Sequence, residues 1–193
     1  MVKSIEREFK TLLTLQQFED LINHFELNDI APLIQSNTYY DTNQQDLLAD
    51  NAALRLRNFP DYSEWTIKQK IDEIQSIELT QVMCSPLNPP LNLEYTLFDS
   101  PDIQTFISDH EIQWDQLHIT YQMTTHRWSF PYRGGELCID RTDFGDQIDY
   151  ELEFEVNHIT DETAWFDLLD NFGIDYVLAE KKIARAAAYQ RKS

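Results

Sequence analysis

The sequence predicts an α+β fold in which about eight antiparallel strands close into a barrel and helices pack on its outside. Three observations support this prediction. Strand-length segments follow one another along most of the chain with short, turn-prone links, which is typical of an antiparallel meander. Most of these segments place charged side chains on one face and apolar side chains on the other. A few segments with apolar residues at helical spacing could cover the apolar faces, which leaves the charged faces to line the interior.

The first part of the chain is predicted to form a strand, a helix and four more strands. The first strand lies around residues 5–10. The helix covers residues 14–27, where Thr14 and Gln17 match a capping box. The strands that follow are rich in β-branched and aromatic residues and are predicted at residues 34–42, 52–59, 64–71 and 75–83.

The second part begins with an irregular, proline-containing connection at residues 85–103. A helix is predicted at residues 102–110. Three strands come next, with glycine-containing turns between them, at residues 117–132, 136–144 and 147–156. Two helices with apolar residues at helical spacing close the sequence at residues 161–173 and 179–192.

The length and charge of the chain limit what it can be. Its 193 residues, of which 42% are hydrophobic, are enough for one core, and we predict a single domain over residues 1–193. Thirty-four acidic residues against 15 basic residues give a formal charge of -19, which disfavours nucleic acids and anionic membranes as main partners. No segment resembles a signal peptide or a membrane-spanning helix, and we therefore expect a cytoplasmic protein.

The charged faces of the predicted strands carry both signs of charge. In the first strand, Glu6, Glu8 and Lys10 lie at every second position and therefore on one face. Other strands repeat the pattern with Arg55 and Arg57, Lys68 and Lys70, Glu78, Arg127, Asp140, and the row Glu151, Glu153 and Glu155. Three carboxylates in line repel one another unless cations lie among them, and a solvated outer face supplies no such cations. If these acids are crowded, Glu153→Gln should not lower the melting temperature of the metal-free protein.

These two kinds of residue indicate two kinds of ligand. Clustered carboxylates are the oxygen donors that Mg²⁺ and Mn²⁺ prefer. Clustered lysines and arginines bind phosphate oxygens, arginine through its planar fork and lysine as a point charge. A polyphosphate that carries its own metal would satisfy both sets.

The order of these residues resembles the CYTH domain family, also called the triphosphate tunnel metalloenzymes. The first strand matches the family's ExExK motif at Glu6, Glu8 and Lys10, and the likeness runs from residue 4 to about residue 186. The other matching segments are "YYDT", "LRLR", "TIKQK", "IELTQ", "HRW", "CIDRTDFG", "YELEFE" and "EKKIAR". In detail they are most similar to CYTH proteins of Gram-positive bacteria. Thr125 stands where some relatives carry a second basic residue.

The resemblance implies a tunnel that holds a linear triphosphate together with Mg²⁺ or Mn²⁺. It assigns metal binding to the acidic set Glu6, Glu8, Asp140, Glu151, Glu153 and Glu155. Within this set, it implies that the catalytic residues are Glu6, Glu8, Glu151 and Glu153. It assigns phosphate binding to the basic set Lys10, Arg55, Arg57, Lys68, Lys70, Arg127, Lys182 and Arg185. Glu78 is expected to support these residues.

The activity implied by the resemblance is metal-dependent hydrolysis of a short linear triphosphate, foremost inorganic tripolyphosphate. A class IV adenylate cyclase and a thiamine triphosphatase are alternatives within the family. An alternative of another class is a non-catalytic sensor that binds a nucleotide or polyphosphate. Trp65 and Trp128 could contact the cationic ring of thiamine, but the strand alternation predicts that both face outward. The large number of carboxylates favours catalysis, because a pure anion binder gains little from acids.

Overall fold

The computed structural model describes residues 2–156, 162–177 and 179–190, and its strands form a closed barrel. The strands are β1 (Val2–Leu13), β2 (Leu33–Asp41), β3 (Ala52–Asn58), β4 (Ser63–Lys70), β5 (Gln75–Met83), β6 (His118–Tyr132), β7 (Gly135–Asp143) and β8 (Ile148–Val156). The helices are α1 (Leu15–His24), α2 (Asp46–Ala49), α3 (Pro101–Asp109), α4 (Glu162–Phe172) and α5 (Lys182–Gln190). Neighbouring strands follow the order β1-β5-β4-β3-β2-β6-β7-β8 around the barrel. The predicted fold class is therefore confirmed.

The predicted elements agree with the observed ones, with a few differences. Helix α1 ends at His24, three residues earlier than predicted, and it begins with the expected capping box of Thr14 and Gln17. The single-turn helix α2 was not predicted because four residues carry no measurable periodicity. It is held by the carboxylate of Asp41, which accepts hydrogen bonds from the backbone N–H groups of Leu47 and Leu48.

The proline-containing connection contains a short 3₁₀ turn at Tyr95–Leu97, and a second one at Trp114–Gln116 lies between α3 and β6. The predicted helix residues at positions 161, 191 and 192 lie outside the described residues. None of the helices in the described ranges is long and apolar enough to cross a bilayer.

Contacts along the backbone divide the chain into two compact units. The first unit comprises residues 1–5 and 35–123, and the second comprises residues 6–34 and 124–193. In the first unit, β2, β3, β4 and β5 pair in antiparallel order. Their outward side chains form a buried core with α3 and the connection that precedes it; its members include Tyr40, Leu54, Leu56, Trp65, Ile67, Leu93, Phe98 and Ile103.

The strand register fixes the rows of side chains on the other face of the first unit. One row pairs Lys68 with Glu78 across β4 and β5. Two residues before Lys68 on β4, Thr66 belongs to the next row, together with Arg55 of β3 and Tyr39 of β2. The row after that contains Arg57, Glu64 and Asn37. The basic residues of separate strands are thus stacked in order along one face, as the alternation predicted.

The second unit contains most of β1, the C-terminal part of β6, and β7 and β8, with α1, α4 and α5. Aromatic side chains bury the outer face of these strands. Phe18 of α1 packs against Trp128 and Tyr150, and Phe9 of β1 stacks on Trp165 of α4. On the other face, the register places opposite charges across from each other in the pairs Lys10 with Glu153 and Arg127 with Asp140. It places two acids across from each other in the pairs Glu8 with Glu155 and Asp140 with Glu151.

The start of β7 gives a prediction about stability. A Cβ atom added at Gly135 would lie 2.3 Å from the backbone oxygen of Glu155 and 2.7 Å from the ring of Phe154. Gly135 is paired with Val156, so β7 cannot move away from β8 at this point without breaking their strand pairing. We expect Gly135→Ala to lower the free energy of unfolding by about 1 to 3 kcal/mol, as other overpacked sites do. Urea denaturation measures this change.

Glu136→Ala is the matched control, because its side chain is exposed in the same strand. Its effect should stay within about 0.5 kcal/mol. Equal stabilities for the two variants would contradict the close approach of β7 and β8 at Gly135.

Candidate active site

All the residues that the sequence assigned to the site lie in the described part of the chain, and they form two sets. The set in the first unit consists of Arg55, Arg57, Lys68, Lys70 and Glu78. The set in the second unit consists of Glu6, Glu8, Lys10, Arg127, Asp140, Glu151, Glu153, Glu155, Lys182 and Arg185. The first set has more cations than carboxylates, whereas the second has more carboxylates than cations.

Three buried carboxylates in the second unit share two cations. Asp140, Glu151 and Glu153 are almost inaccessible to solvent. Lys182 of α5 places its Nζ atom 2.9 Å from Asp140 and 2.5 Å from each of the two glutamates. Arg127 of β6 donates two hydrogen bonds to Asp140, at 2.8 and 2.7 Å, and a third to Glu153. We call this group the compensated cluster, because lysine and arginine supply its positive charge.

Arg185 extends this network along β8. Its Nη2 atom donates to Glu151 at 2.9 Å and its Nε atom donates to Asp149 at 2.8 Å. The hydroxyl of Tyr189 donates to the other oxygen of Asp149 at 2.7 Å, and Arg185 also donates to the backbone oxygen of Glu180. The sequence assigned Arg185 to phosphate, but in the structure it joins α5 to β8.

Asp149 and Tyr189 were not assigned from the sequence. Asp149 lies two residues before Glu151, so the strand period that identified the glutamates could have included it. Tyr189 lies four residues after Arg185 on α5, a helical spacing that places both side chains on one face. No chemical motif marks either residue.

The compensated cluster shifts the pKa of Glu153 and the pKa of Lys182 in the direction that favours ionisation. Burial alone would raise the pKa of Glu153, but Arg127 and Lys182 outweigh this effect and hold it well below the usual range. Burial would lower the pKa of Lys182, but the neighbouring carboxylates raise it. Glu153 and Lys182 are therefore each stabilised in the charged form.

This result reverses the expectation that neutralising Glu153 would cost no stability. The expectation assumed uncompensated acids in line. In the structure, Glu153 accepts hydrogen bonds from Arg127 and Lys182, so its charge is needed to balance theirs. The row of acids on β8 is crowded at Glu155 instead.

A second acidic cluster consists of Glu6, Glu8 and Glu155. One carboxylate oxygen of each lies within 4.8 Å of the others. Lys10 forms an ion pair with Glu8. Burial and the charge of Glu6 raise the pKa of Glu155 to about 7, and the opposing effect of Arg127 is smaller. We call this group the undercompensated cluster, because nearby positive charge does not offset the burial of Glu155.

Both clusters have the geometry of a metal site, but their charge differs. The carboxylate oxygens of Asp140, Glu151 and Glu153 also lie within 4.8 Å of one another. There, however, Lys182 already contacts all three residues. A divalent cation therefore fits the undercompensated cluster better, since it would relieve the repulsion that raises the pKa of Glu155.

The first unit offers a row of guanidinium and ammonium groups with few acids among them. A carboxylate oxygen of Glu64 lies 3.9 Å from both Arg55 and Arg57. The Nε atom of Arg57 donates to Asn37 at 2.9 Å, while Lys68 lies 3.7 Å from Glu78. At 3.7 to 3.9 Å these ion pairs are longer than hydrogen bonds, and phosphate oxygens at hydrogen-bonding distance would be stronger acceptors for the same cations.

Arg55 has a buried donor that the structure leaves unsatisfied. Its Nε atom is buried and has no hydrogen-bond partner among the described residues. Unpaired buried donors are uncommon in native structures, and one on an arginine suits an anionic ligand. Lys70, the last basic residue of this set, is half-buried at the end of β4 and lies opposite Ser76.

The two tryptophans considered as ring partners lie on outer faces, as predicted. Trp65 is fully buried in the hydrophobic core of the first unit. Trp128 packs on α1 and donates its indole N–H to the backbone oxygen of Ile30. Thr125, which stands at the position of a second base in some relatives, lies 3.1 Å from the hydroxyl of Thr142.

Comparison with known proteins identifies the family of this chain. The family model of the CYTH domain matches residues 4–187. The chain belongs to the CYTH domain family. This CYTH domain is 28% identical over 196 residues to YjbK of Bacillus subtilis, which is named as a candidate triphosphatase, and the alignment covers 100% of both chains.

Solved structures show the same fold. A crystal structure of a candidate adenylate cyclase from Bacillus halodurans has a TM-score of 0.84 and 30% identity, and it covers 96% of this CYTH domain and 98% of that chain. HpAC1 from Hippeastrum, a candidate adenylyl cyclase described as having a dominant triphosphatase activity, has a TM-score of 0.74 and 19% identity over 95% of each chain. The second likeness concerns the fold alone.

The two acidic clusters predict opposite responses to charge neutralisation in the metal-free CYTH domain. The pKa of Glu153 is lowered on folding, so its carboxylate stabilises the fold above its unfolded pKa and loses this effect as pH falls. We expect Glu153→Gln to lower the free energy of unfolding at pH 8 by about 3 kcal/mol, since it leaves buried cations without a partner. Thermal melts in EDTA measure this effect.

Glu155→Gln is the matched variant on the same strand. The pKa of Glu155 is raised to about 7, so its favourable contribution is complete below its unfolded pKa and is lost as pH rises through about 7. We expect Glu155→Gln to raise the melting temperature at pH 8 and to have little effect at pH 5. The corresponding gain in the free energy of unfolding at pH 8 is at most about 3 kcal/mol before solvent screening. Equal losses for both variants at pH 8 would contradict the distinction between the clusters.

Proposed function

We propose that this CYTH domain is a metal-dependent triphosphatase that hydrolyses short linear triphosphates, foremost inorganic tripolyphosphate, to pyrophosphate and phosphate. Membership of the family supports the proposal, as does the naming of the Bacillus subtilis relative as a candidate triphosphatase. The observation that carries it is the presence in one chain of an acidic cluster in which nearby positive charge does not offset the burial of Glu155, and of a separate set with an excess of cations. A metal-bound polyphosphate brings both charges that these sets require.

In this proposal, Glu6, Glu8 and Glu155 hold Mg²⁺ or Mn²⁺. Their carboxylate oxygens suit hard divalent cations, and their mutual distance of at most 4.8 Å allows them to share one ion. The bound cation would neutralise charge on the phosphate oxygens. The remaining acids of the predicted metal set, Asp140, Glu151 and Glu153, would act chiefly by orienting their cations and a water molecule.

The phosphates would be bound by cations of both sets. Arg55 supplies the unsatisfied Nε donor, and Arg57 and Lys68 lie 3.9 and 3.7 Å from the carboxylates of Glu64 and Glu78. From the second unit, the proposal adds the basic residues Lys10, Arg127 and Lys182. Arg185 and Lys70 have smaller assigned roles, because Arg185 binds carboxylates of the protein and Lys70 lies at the end of its strand.

The reaction assigned to this set is an in-line phosphoryl transfer to water. A water molecule attacks the terminal phosphorus as the bond to the bridging oxygen breaks, and pyrophosphate leaves with the electron pair of that bond. The cations neutralise charge on the transferred and leaving groups, and the carboxylates orient the water. Positioning and electrostatics therefore account for most of the assigned catalysis.

Adenylate cyclase activity is the second candidate. It is favoured by the name given to the Bacillus halodurans relative, which is 30% identical to this chain. A cyclase would direct the ribose 3′-oxygen to the α-phosphate and release pyrophosphate from ATP. Product analysis separates the two activities, because a triphosphatase acting on ATP yields ADP and phosphate.

Metal dependence is tested by phosphate release from tripolyphosphate with Mg²⁺, with Mn²⁺ and with EDTA. We expect no turnover in EDTA. Glu6→Gln should reduce kcat at least about 100-fold, because a neutral amide keeps the shape of the side chain but not its charge. Glu19→Gln, an exposed position on α1, is the control for a lost surface charge. Full activity in EDTA or in Glu6→Gln would refute the assignment.

Phosphate binding by the first unit is tested with Arg55→Ala. We expect the affinity for a slowly hydrolysed triphosphate analogue to fall roughly thirty-fold or more, since truncating a buried charged contact costs about 2 to 5 kcal/mol. Arg133→Ala is the matched control, because its ion pair with Asp167 is half-exposed on both sides. Such a pair is worth about 0 to 1 kcal/mol. Isothermal titration should therefore separate the two variants, and equal affinities would remove Arg55 from the site.

A further inference from the structure

The carboxylate of Asp149 attaches the last helix to β8 at two points. Its Oδ2 atom accepts a hydrogen bond from Nε of Arg185 at 2.8 Å, and its Oδ1 atom accepts one from the hydroxyl of Tyr189 at 2.7 Å. The two donors lie four residues apart on α5, so they occupy successive turns of one helix face. Both oxygens of Asp149 are therefore bound to the same helix.

Tyr189 is well suited to this contact. Burial and the hydrogen bond to Asp149 raise the pKa of Tyr189 to about 12, so its hydroxyl keeps the proton that it donates. The ring of Tyr189 lies edge-on to Phe144, just after β7, with centroids 5.3 Å apart and 73° between the planes. The ring contact and the hydrogen bond together fix this end of α5.

Arg185 connects Asp149 to the compensated cluster. Its Nη2 and Nη1 atoms donate to the two oxygens of Glu151 at 2.9 and 3.2 Å. This is the fork geometry in which a guanidinium fixes the orientation of a carboxylate as well as its distance. Because the guanidinium is planar, the bond from Nε to Asp149 also sets the plane in which the carboxylate of Glu151 is held.

The same carboxylate of Glu151 contacts the other cation of α5. Lys182 lies three residues before Arg185, and its Nζ atom is 2.5 Å from Glu151. Lys182 is one of the cations assigned to phosphate in the proposed function. Its backbone belongs to α5, so the position of its ammonium group depends on how that helix is held against β8.

We propose that Asp149 is a positioning residue for the triphosphatase reaction, because it holds Arg185 and α5 so that Lys182 and Glu151 keep one fixed geometry. Asp149 is assigned no contact with substrate, since both of its oxygens accept hydrogen bonds from α5. The inference rests on the proposed function and adds a residue to it. Its physical basis is preorganisation, since misplacing a reacting group by about 1 Å can cost roughly 100-fold in rate.

A purely structural role for Asp149 predicts a different result. In that case, loss of the carboxylate lowers the melting temperature, but the folded variant binds phosphates as the parent does. In the proposal, the folded variant binds more weakly, and the loss depends on the presence of Lys182. The two roles are therefore separated by the coupling between Asp149 and Lys182.

A double-mutant cycle with Asp149→Asn and Lys182→Ala measures this coupling. Asparagine keeps the shape of the side chain, but its amide nitrogen is a donor and cannot accept from Arg185 or Tyr189. The ligand is the diimido analogue of tripolyphosphate, in which N–H groups replace the bridging oxygens. Its affinity is measured by isothermal titration in EDTA, below the melting temperature of every variant.

We expect Asp149→Asn to weaken binding of the analogue about 10-fold when Lys182 is present and by less than about two-fold when Lys182 is replaced by alanine. Asp146→Asn is the matched control, because it removes one negative charge at an exposed position in the turn before β8. Its affinity should stay within about two-fold of the parent.

Tyr189→Phe serves as a second variant in case Asp149→Asn does not fold. It removes one of the two hydrogen bonds to Asp149 but keeps the ring contact with Phe144. We expect a loss of affinity of about three-fold, which again disappears in the Lys182→Ala background.

The remaining outcomes are decisive as well. Parental affinity in both variants, or the same loss with and without Lys182, would overturn the positioning role. No measurable binding by the parent would overturn it too, since there would be no phosphate contact for Asp149 to support. Phosphate release from tripolyphosphate by the parent with Mn²⁺ is measured separately. Its absence would refute the proposed function, whereas the titrations still decide whether Asp149 acts through Lys182.

Discussion

The structure depends on the burial of a row of carboxylates on β8 together with the cations that compensate them. Glu151 and Glu153 lie almost entirely out of solvent, an arrangement that is unfavourable for isolated charges. Lys182 and Arg185 bring compensating charge from α5, and Arg127 brings it from β6. The docking of α5 and the ionisation of the carboxylates on β8 therefore depend on each other, because removing either side leaves buried charge unpaired.

The compensating cations are unevenly distributed along β8, and this difference determines which of its carboxylates favour an added cation. Arg127 and Lys182 hold the pKa of Glu153 well below its usual range. Two residues later, burial and Glu6 raise the pKa of Glu155 to about 7. The charge of Glu153 is thus balanced by cations of the protein itself, whereas Glu155 favours an added cation. In the proposed function, the metal adds positive charge beside Glu155, where Lys10 and Arg127 do not offset its burial.

The sequence predicted which side chains share a strand face better than it predicted which of them form hydrogen bonds and ion pairs. A period of two was sufficient to place Glu6 with Glu8 and Arg55 with Arg57, and the family resemblance supplied the remaining order. The bond from Arg185 to Asp149 and the sharing of Lys182 among three acids depend on where α5 docks, which no local pattern encodes.

The central claim is that the two acidic clusters differ in their need for a cation, and binding of Mn²⁺ at pH 7.5 without substrate tests it most directly. Isothermal titration compares the parent with Glu155→Gln and Glu151→Gln, one neutral substitution from each cluster. The account predicts that Glu155→Gln loses most of the Mn²⁺ affinity, whereas Glu151→Gln binds within a few-fold of the parent. Loss of binding in Glu151→Gln with parental binding in Glu155→Gln would contradict it.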